Sequence, residues 1–139
     1  MSRAHYPVLW IGQVAVVALP AEMDVTNADM VREDLLSVMN QGAVLLIADM
    51  SKTKFCDSAG VNALVRTFRR ASASENTLRL VVSTPAVQRV LSITGVDRLV
   101  DIFPSVAASL AAPYDQDGQG VEAQPDDTTA TADTDGGAA

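Results

Sequence analysis

A chain of 139 residues, 48% of them apolar, is long enough for one domain with a core and too short for two of ordinary size. Its net charge of −7 resides in one segment: from Pro113 onward there are seven acids and no Lys or Arg, which leaves ten acids against all ten Lys and Arg in residues 1–112. A neutral body gives no electrostatic case for nucleic-acid binding, no apolar run approaches the roughly 20 residues needed to span a bilayer, and the single cysteine, Cys56, excludes an internal disulfide and fits a reducing, cytoplasmic compartment.

In chain order, "HYPVLWIG" and "VAVVAL" are short Val- and Ile-containing runs, and the Gly12-Gln13 break between them predicts a hairpin. The same break interrupts the N-terminal apolar stretch, and no small-residue cleavage site follows, so no signal peptide is expected. "DVTNADMVREDLLSVMNQG" predicts a helix. Thr26 followed by Asp29 resembles a capping box, Val31, Leu35 and Val38 share one face, and Gly42 stops it.

"AVLLIAD" is a continuous apolar run, as expected of a strand covered on both faces. A second helix is expected from about Ala59 to Ala73, with Val61, Leu64, Val65 and Phe68 inward and Arg66, Arg69 and Arg70 outward. "TLRLVV" predicts a strand. "TPAVQRVLSITG" predicts a helix with Thr84 as cap, Pro85 at its first position and Gly95 at its end. "VDRLVDIF" then supplies a short strand and "PSVAASLAA" a last helix. The order β-β-α-β-α-β-α-β-α gives right-handed crossovers, hence a mainly parallel sheet with the first strand antiparallel. Residues 1–112 form the expected domain. Residues 113–139, rich in Asp, Gly, Thr and Ala, are expected to be a disordered acidic tail, a solubilising extension or an interaction arm.

The chemistry gathers in "KFCDSAGVNAL", residues 54–64. Ser58 admits three roles. As a nucleophile it needs a base, yet the only histidine, His5, precedes the first strand in a segment expected to be mobile, while Lys52 and Lys54 fall on an exposed-looking loop. The hydrolase reading therefore lacks its constellation. As a helix N-cap, Ser58 would contribute about 1 kcal/mol, with Asp57 adding charge near the positive helix end. As a phosphoacceptor, it would place about −1.5 to −2 charges on a neutral surface beside Asp57. Gly60 leaves the backbone bare for another surface to approach. Cys56, next to an acid, reads as a small buried filler and not a redox sensor. No metal-ligand spacing and no phosphate-cradling glycine loop occurs, so neither a metal nor a nucleotide cofactor is expected.

Three stretches resemble the anti-sigma-factor antagonist (STAS-domain) family. They are "DMSKTKFCDSAG", carrying Asp49, Ser51, Phe55, Asp57, Ser58 and Gly60; "LPAEMDVTNA", carrying Glu22 and Asp24; and "TPAVQRVLSITGVDRLVDIFPS". The resemblance covers about residues 8–112 and implies an α/β STAS fold, a mixed, mainly parallel sheet of about four to five strands flanked by about four helices. It implies a non-enzymatic partner switch. The unphosphorylated protein would bind an anti-sigma factor that is itself a serine kinase holding ATP, releasing a sigma factor, and a phosphatase would reset it. Ser58 would be the phosphoacceptor, with Asp24, Asp57, Ser58 and Gly60 at the partner surface. Ala59 stands where a second hydroxyl is frequent, which concentrates the assignment on Ser58, and Ala21 replaces the glycine before Glu22. The alternative on the same fold is a scaffold or ligand-sensing module in which Ser58 is only a cap.

Overall fold

The computed structural model describes residues 5–114. Strands β1 (Val8–Ile11) and β2 (Val14–Ala18) form the expected antiparallel hairpin, turning at Gly12, whose φ of 59° suits a residue without a side chain. After a two-residue β3 (Glu22–Met23) come α1 (Ala28–Asn40), β4 (Leu45–Met50), β5 (Phe55–Cys56), α2 (Ser58–Ala73) and β6 (Thr77–Val82). Then follow α3 (Pro85–Thr94), a single 3-10 turn (Val96–Arg98), β7 (Asp101–Phe103) and α4 (Val106–Ala111). The expected last strand is thus shorter than "VDRLVDIF": its first residues coil because Gly95, at φ 84°, ends α3 and leads straight into the 3-10 turn.

Five strands form one sheet in the order β1-β2-β4-β6-β7, parallel from β2 onward. Central β4 buries Leu45, Leu46, Ile47 and Ala48 completely, as its unbroken apolar run requires when both faces are covered. On one face, Leu46, Ala48, Leu80 and Val82 pack against Val31, Leu35 and Val38 of α1, Val61 and Leu64 of α2, and Val87 and Leu91 of α3. On the other, Val14, Val16, Leu45, Ile47 and Val81 meet Val106 and Leu110 of α4 and Tyr114. Packing therefore continues past residue 112. Of the expected tail, 113–139, Pro113 and Tyr114 belong to the described structure, and residues 115–139 lie outside the described residues.

Two N-terminal expectations are corrected. The first turn of α1 is not a capping box: Asn27 is the cap residue and makes no side-chain cap bond, while Thr26 is engaged by Asp24. His5 is not loose either. Buried Asp34 of α1 accepts from the backbone N–H groups of His5 (2.6 Å) and Tyr6 (2.8 Å), and its other oxygen meets His5 Nδ1 at 2.8 Å. A buried carboxylate needs such donors, and the segment before β1 supplies all three.

Candidate functional site

The site is built beyond the C-terminal ends of the parallel strands, where open α/β sheets place their recognition surfaces. There β3 and β5 form a separate parallel ribbon, Glu22 beside Phe55 and Met23 beside Cys56. Asp57 N–H extends it by donating to Met23 carbonyl oxygen at 3.0 Å. The loop before β5 is held at both sides: Thr53 Oγ1 donates to Pro20 carbonyl oxygen at 2.8 Å, and Thr84 Oγ1 donates to Thr53 carbonyl oxygen at 2.9 Å. The ribbon brings two segments distant in sequence together, so that Asp24 and Asp57 each follow a paired end.

Ser58 is not the cap of α2. Asp57 is: its Oδ1 accepts from Ala59 N–H at 2.9 Å and Gly60 N–H at 3.1 Å. Both residues are favoured caps and stand side by side in the sequence, so the helix begins one position earlier than a serine cap would place it. Ser58 becomes the first helical residue, exposed, and its hydroxyl has no hydrogen-bond partner among the described residues. Asp24 is equally local in its bonding. Its carboxylate accepts from the side chain and backbone N–H of Thr26, which together hold it below the usual carboxylate range. Asp24 is thus a fixed negative charge on this surface.

Gly60 is buried, and the surface that approaches it is the protein's own. A Cβ there would meet Cys56 Sγ at 2.8 Å and both Cβ and carbonyl oxygen of Met23 at 3.0 Å. The bare backbone lets α2 close against the β3–β5 ribbon. Cys56 is 3% exposed, and burial first, then Asp57, pushes its thiol up to about 11. It is a filler, as expected. No group of three or more His, Cys, Asp or Glu among the described residues could hold a metal ion. His5 is committed to Asp34, and Lys52 and Lys54 are exposed.

Three surface features go beyond what the sequence pattern predicts. Val25 is 79% exposed in the turn after Asp24, and Phe55 is 52% exposed on β5, so apolar groups stand near the acids. Between α1 and α2 lies a pocket of about 130 Å³ with Ala28, Arg32, Ala59 and Arg66 in its lining. Of the three outward arginines of α2, only Arg66 reaches it. The spacing of Ser58, Asn62 and Arg66 at i, i+4 and i+8 was the available signal for one continuous stripe.

Residues 8–109 match the STAS domain family. The anti-sigma-B factor antagonist of Bacillus subtilis (strain 168) is 31% identical over 86 residues, 62% of this chain and 78% of that protein. A crystal structure of an anti-sigma factor antagonist from Mycobacterium paratuberculosis is similar at TM-score 0.72 and 25% identity, covering 79% of this chain and 93% of that one. The Bacillus cell fate determinant SpoIIAA in its phosphorylated form is similar in fold, at TM-score 0.59 and 19% identity, over 76% of this chain and 96% of that one.

Proposed function

The chain belongs to the STAS domain family, its relatives include anti-sigma factor antagonists, and from this we propose that it is an anti-sigma factor antagonist switched at Ser58. The unphosphorylated protein binds an anti-sigma factor that is a serine kinase and holds the ATP, and this binding releases a sigma factor. Transfer of the γ-phosphoryl group to Ser58 Oγ ends the association, and a phosphatase restores it. The protein itself performs no chemistry in this scheme and acts in the cytoplasm. No helix among the described residues is long and apolar enough to cross a membrane.

The observation that carries the reading is the state of Ser58. Asp57 takes over the capping bonds, so the Ser58 hydroxyl stands exposed at the first helical position and free to enter a kinase active site. A phosphate there adds about −1.5 to −2 charges next to Asp57 and near the end of the ribbon that carries Asp24. The fold tolerates it, because Ser58 is exposed and the dipole at a helix start favours an anion. A docked partner does not, since it would meet a dense negative cluster where a neutral hydroxyl had been. In this scheme Asp24 and Asp57 are partner-surface charges. Gly60 contributes through the close packing that sets the start of α2.

The test is phosphoryl transfer and binding with the kinase from the same cells. Wild type is expected to take label from γ-labelled ATP and Ser58→Ala to take none. Ser58→Asp is expected to keep its melting temperature and lose at least tenfold in affinity. Label on Ser58→Ala, or unchanged affinity for Ser58→Asp, rejects the switch.

A further inference from the structure

We propose that the pocket between α1 and α2 is the subsite where the partner kinase inserts a carboxylate side chain, with Arg66 as its receptor. This rests on the reading of the Ser58 surface as the docking face and adds what the partner must carry.

The pocket exists because Ala28 of α1 and Ala59 and Ala63 of α2 line it with side chains too short to fill it. Its volume of about 130 Å³ corresponds to roughly four waters at about 30 Å³ each, enough for one short side chain. Two guanidinium groups line it against one carboxylate. Arg32 Nη1 stands 3.6 Å from Asp29 Oδ1, an ion pair too long for a hydrogen bond, while Arg66 has no ion pair among the described residues. The lining therefore carries one uncompensated positive charge. That matches a carboxylate. A doubly charged phosphate would exceed it and would face Asp29.

The position of the pocket makes the match functional. Ser58, Asn62 and Arg66 fall on one stripe of α2, and at 1.5 Å rise per residue Arg66 lies ~12 Å along the helix from Ser58. Asn62 lies between them in the pocket lining. The docking face thus changes sign along its length, negative around Asp57 and Asp24 and positive at Arg66. A kinase bound across it must avoid negative charge at one end and offer it at the other, which fixes the direction of docking as well as its strength. Arg69 and Arg70 are exposed on the same helix and do not line the pocket.

The experiment uses the full chain and the serine kinase that labels Ser58, with affinity measured at two salt concentrations. Arg66→Glu is expected to bind at least tenfold more weakly with a reduced salt dependence, and Arg70→Glu to bind within twofold of wild type. Melting temperatures confirm that both variants are folded. An Asp or Glu to Lys scan of the kinase is expected to yield one variant that recovers Arg66→Glu. Arg66→Glu binding within twofold of wild type overturns the subsite, and so does an equal loss in Arg70→Glu. Recovery by none of the kinase variants overturns the carboxylate as occupant. The parent reading fails separately, through Ser58→Asp: if that variant binds normally while Arg66→Glu does not, the pocket stands and the phosphate switch falls.

Discussion

Asp57 Oδ1 receives the N–H of Gly60 at 3.1 Å, and with it the N–H of Ala59, so one carboxylate closes the start of α2 and the neighbouring hydroxyl of Ser58 has no partner among the described residues. In the proposed scheme, structure and regulation are thereby divided between adjacent residues. Asp57→Ala is expected to lower unfolding free energy by about 1 kcal/mol, the usual cost of a lost cap. Ser58→Ala, which removes an exposed hydroxyl with no partner among the described residues, is expected to stay within about 0.5 kcal/mol of wild type. Urea unfolding of the two variants decides it. A larger loss in Ser58→Ala would mean that the serine is the structural residue.

Gly60→Ala sets two effects against each other. Alanine favours a helix over glycine by up to about 1 kcal/mol. Its Cβ, however, would stand 3.0 Å from Met23 carbonyl oxygen and 2.8 Å from Cys56 Sγ, and the backbone of β3 has no room to give without opening the ribbon. Overpacking of this kind costs about 1–3 kcal/mol, so net destabilisation is expected. The N–H groups of β5 should also exchange faster with solvent. A more stable Gly60→Ala would show that α2 does not press on the ribbon.

Much of this fold was legible in the sequence because it is periodic. Val31, Leu35 and Val38 announce α1, the unbroken run from Leu45 to Ala48 announces a strand covered on both faces, and Gly95 marks the end of α3. The ribbon of β3 and β5 was not legible, since two residues per strand carry no period. Its consequences were hidden with it. Met23 fills the space beside Gly60, so the bare backbone that suggested an approaching partner serves internal packing instead. The identity of the cap was a choice between neighbours of equal propensity, decided by which oxygen the helix start faces. Asp34 pins His5 through a contact between α1 and the residues before β1 that no local pattern encodes. The resemblance carried by Asp57 and Ser58 pointed to the candidate site; the burial of one neighbour and the exposure of another gave it a shape.

The thiol of Cys56 gives a pH dependence with a definite sign. In the unfolded chain it ionises near its ordinary value of 9.0, whereas burial and Asp57 hold the proton on to about 11 in the folded protein. Below pH 9 both states carry the proton and stability is unaffected. Between pH 9 and about 11 only the unfolded chain releases it, so stability falls across that window and levels off above it. Urea unfolding of wild type and Cys56→Ala at pH 8, 9 and 10 is expected to show a difference that shifts against wild type as pH rises. In the native protein at pH 8 the thiol should also react with a disulfide reagent far more slowly than in urea. Equal rates in the two conditions would contradict its burial.

Arg79 holds α4 to the sheet, and removing it tests whether the two faces act independently. The side chain is 3% exposed on β6. Nη1 donates to the carbonyl oxygens of Ser109 at 2.7 Å and Ala112 at 2.8 Å, and Nη2 to that of Pro113 at 2.6 Å. The guanidinium also lies 5.3 Å from the Phe103 ring centroid and 5.8 Å from that of Tyr114. A planar fork reaches all three carbonyls at the end of a short helix; the point charge of lysine does not. Arg79→Met keeps the apolar stem and strands those carbonyls, which costs about 1–3 kcal/mol for groups left without donors. Amide exchange is expected to accelerate in residues 106–112. The rate of Ser58 labelling is expected to remain unchanged, because α4 covers the sheet face opposite to α1 and α2. A labelling rate that changes together with exchange would mean that the two faces are coupled, and that the anchoring of α4 is part of the switch.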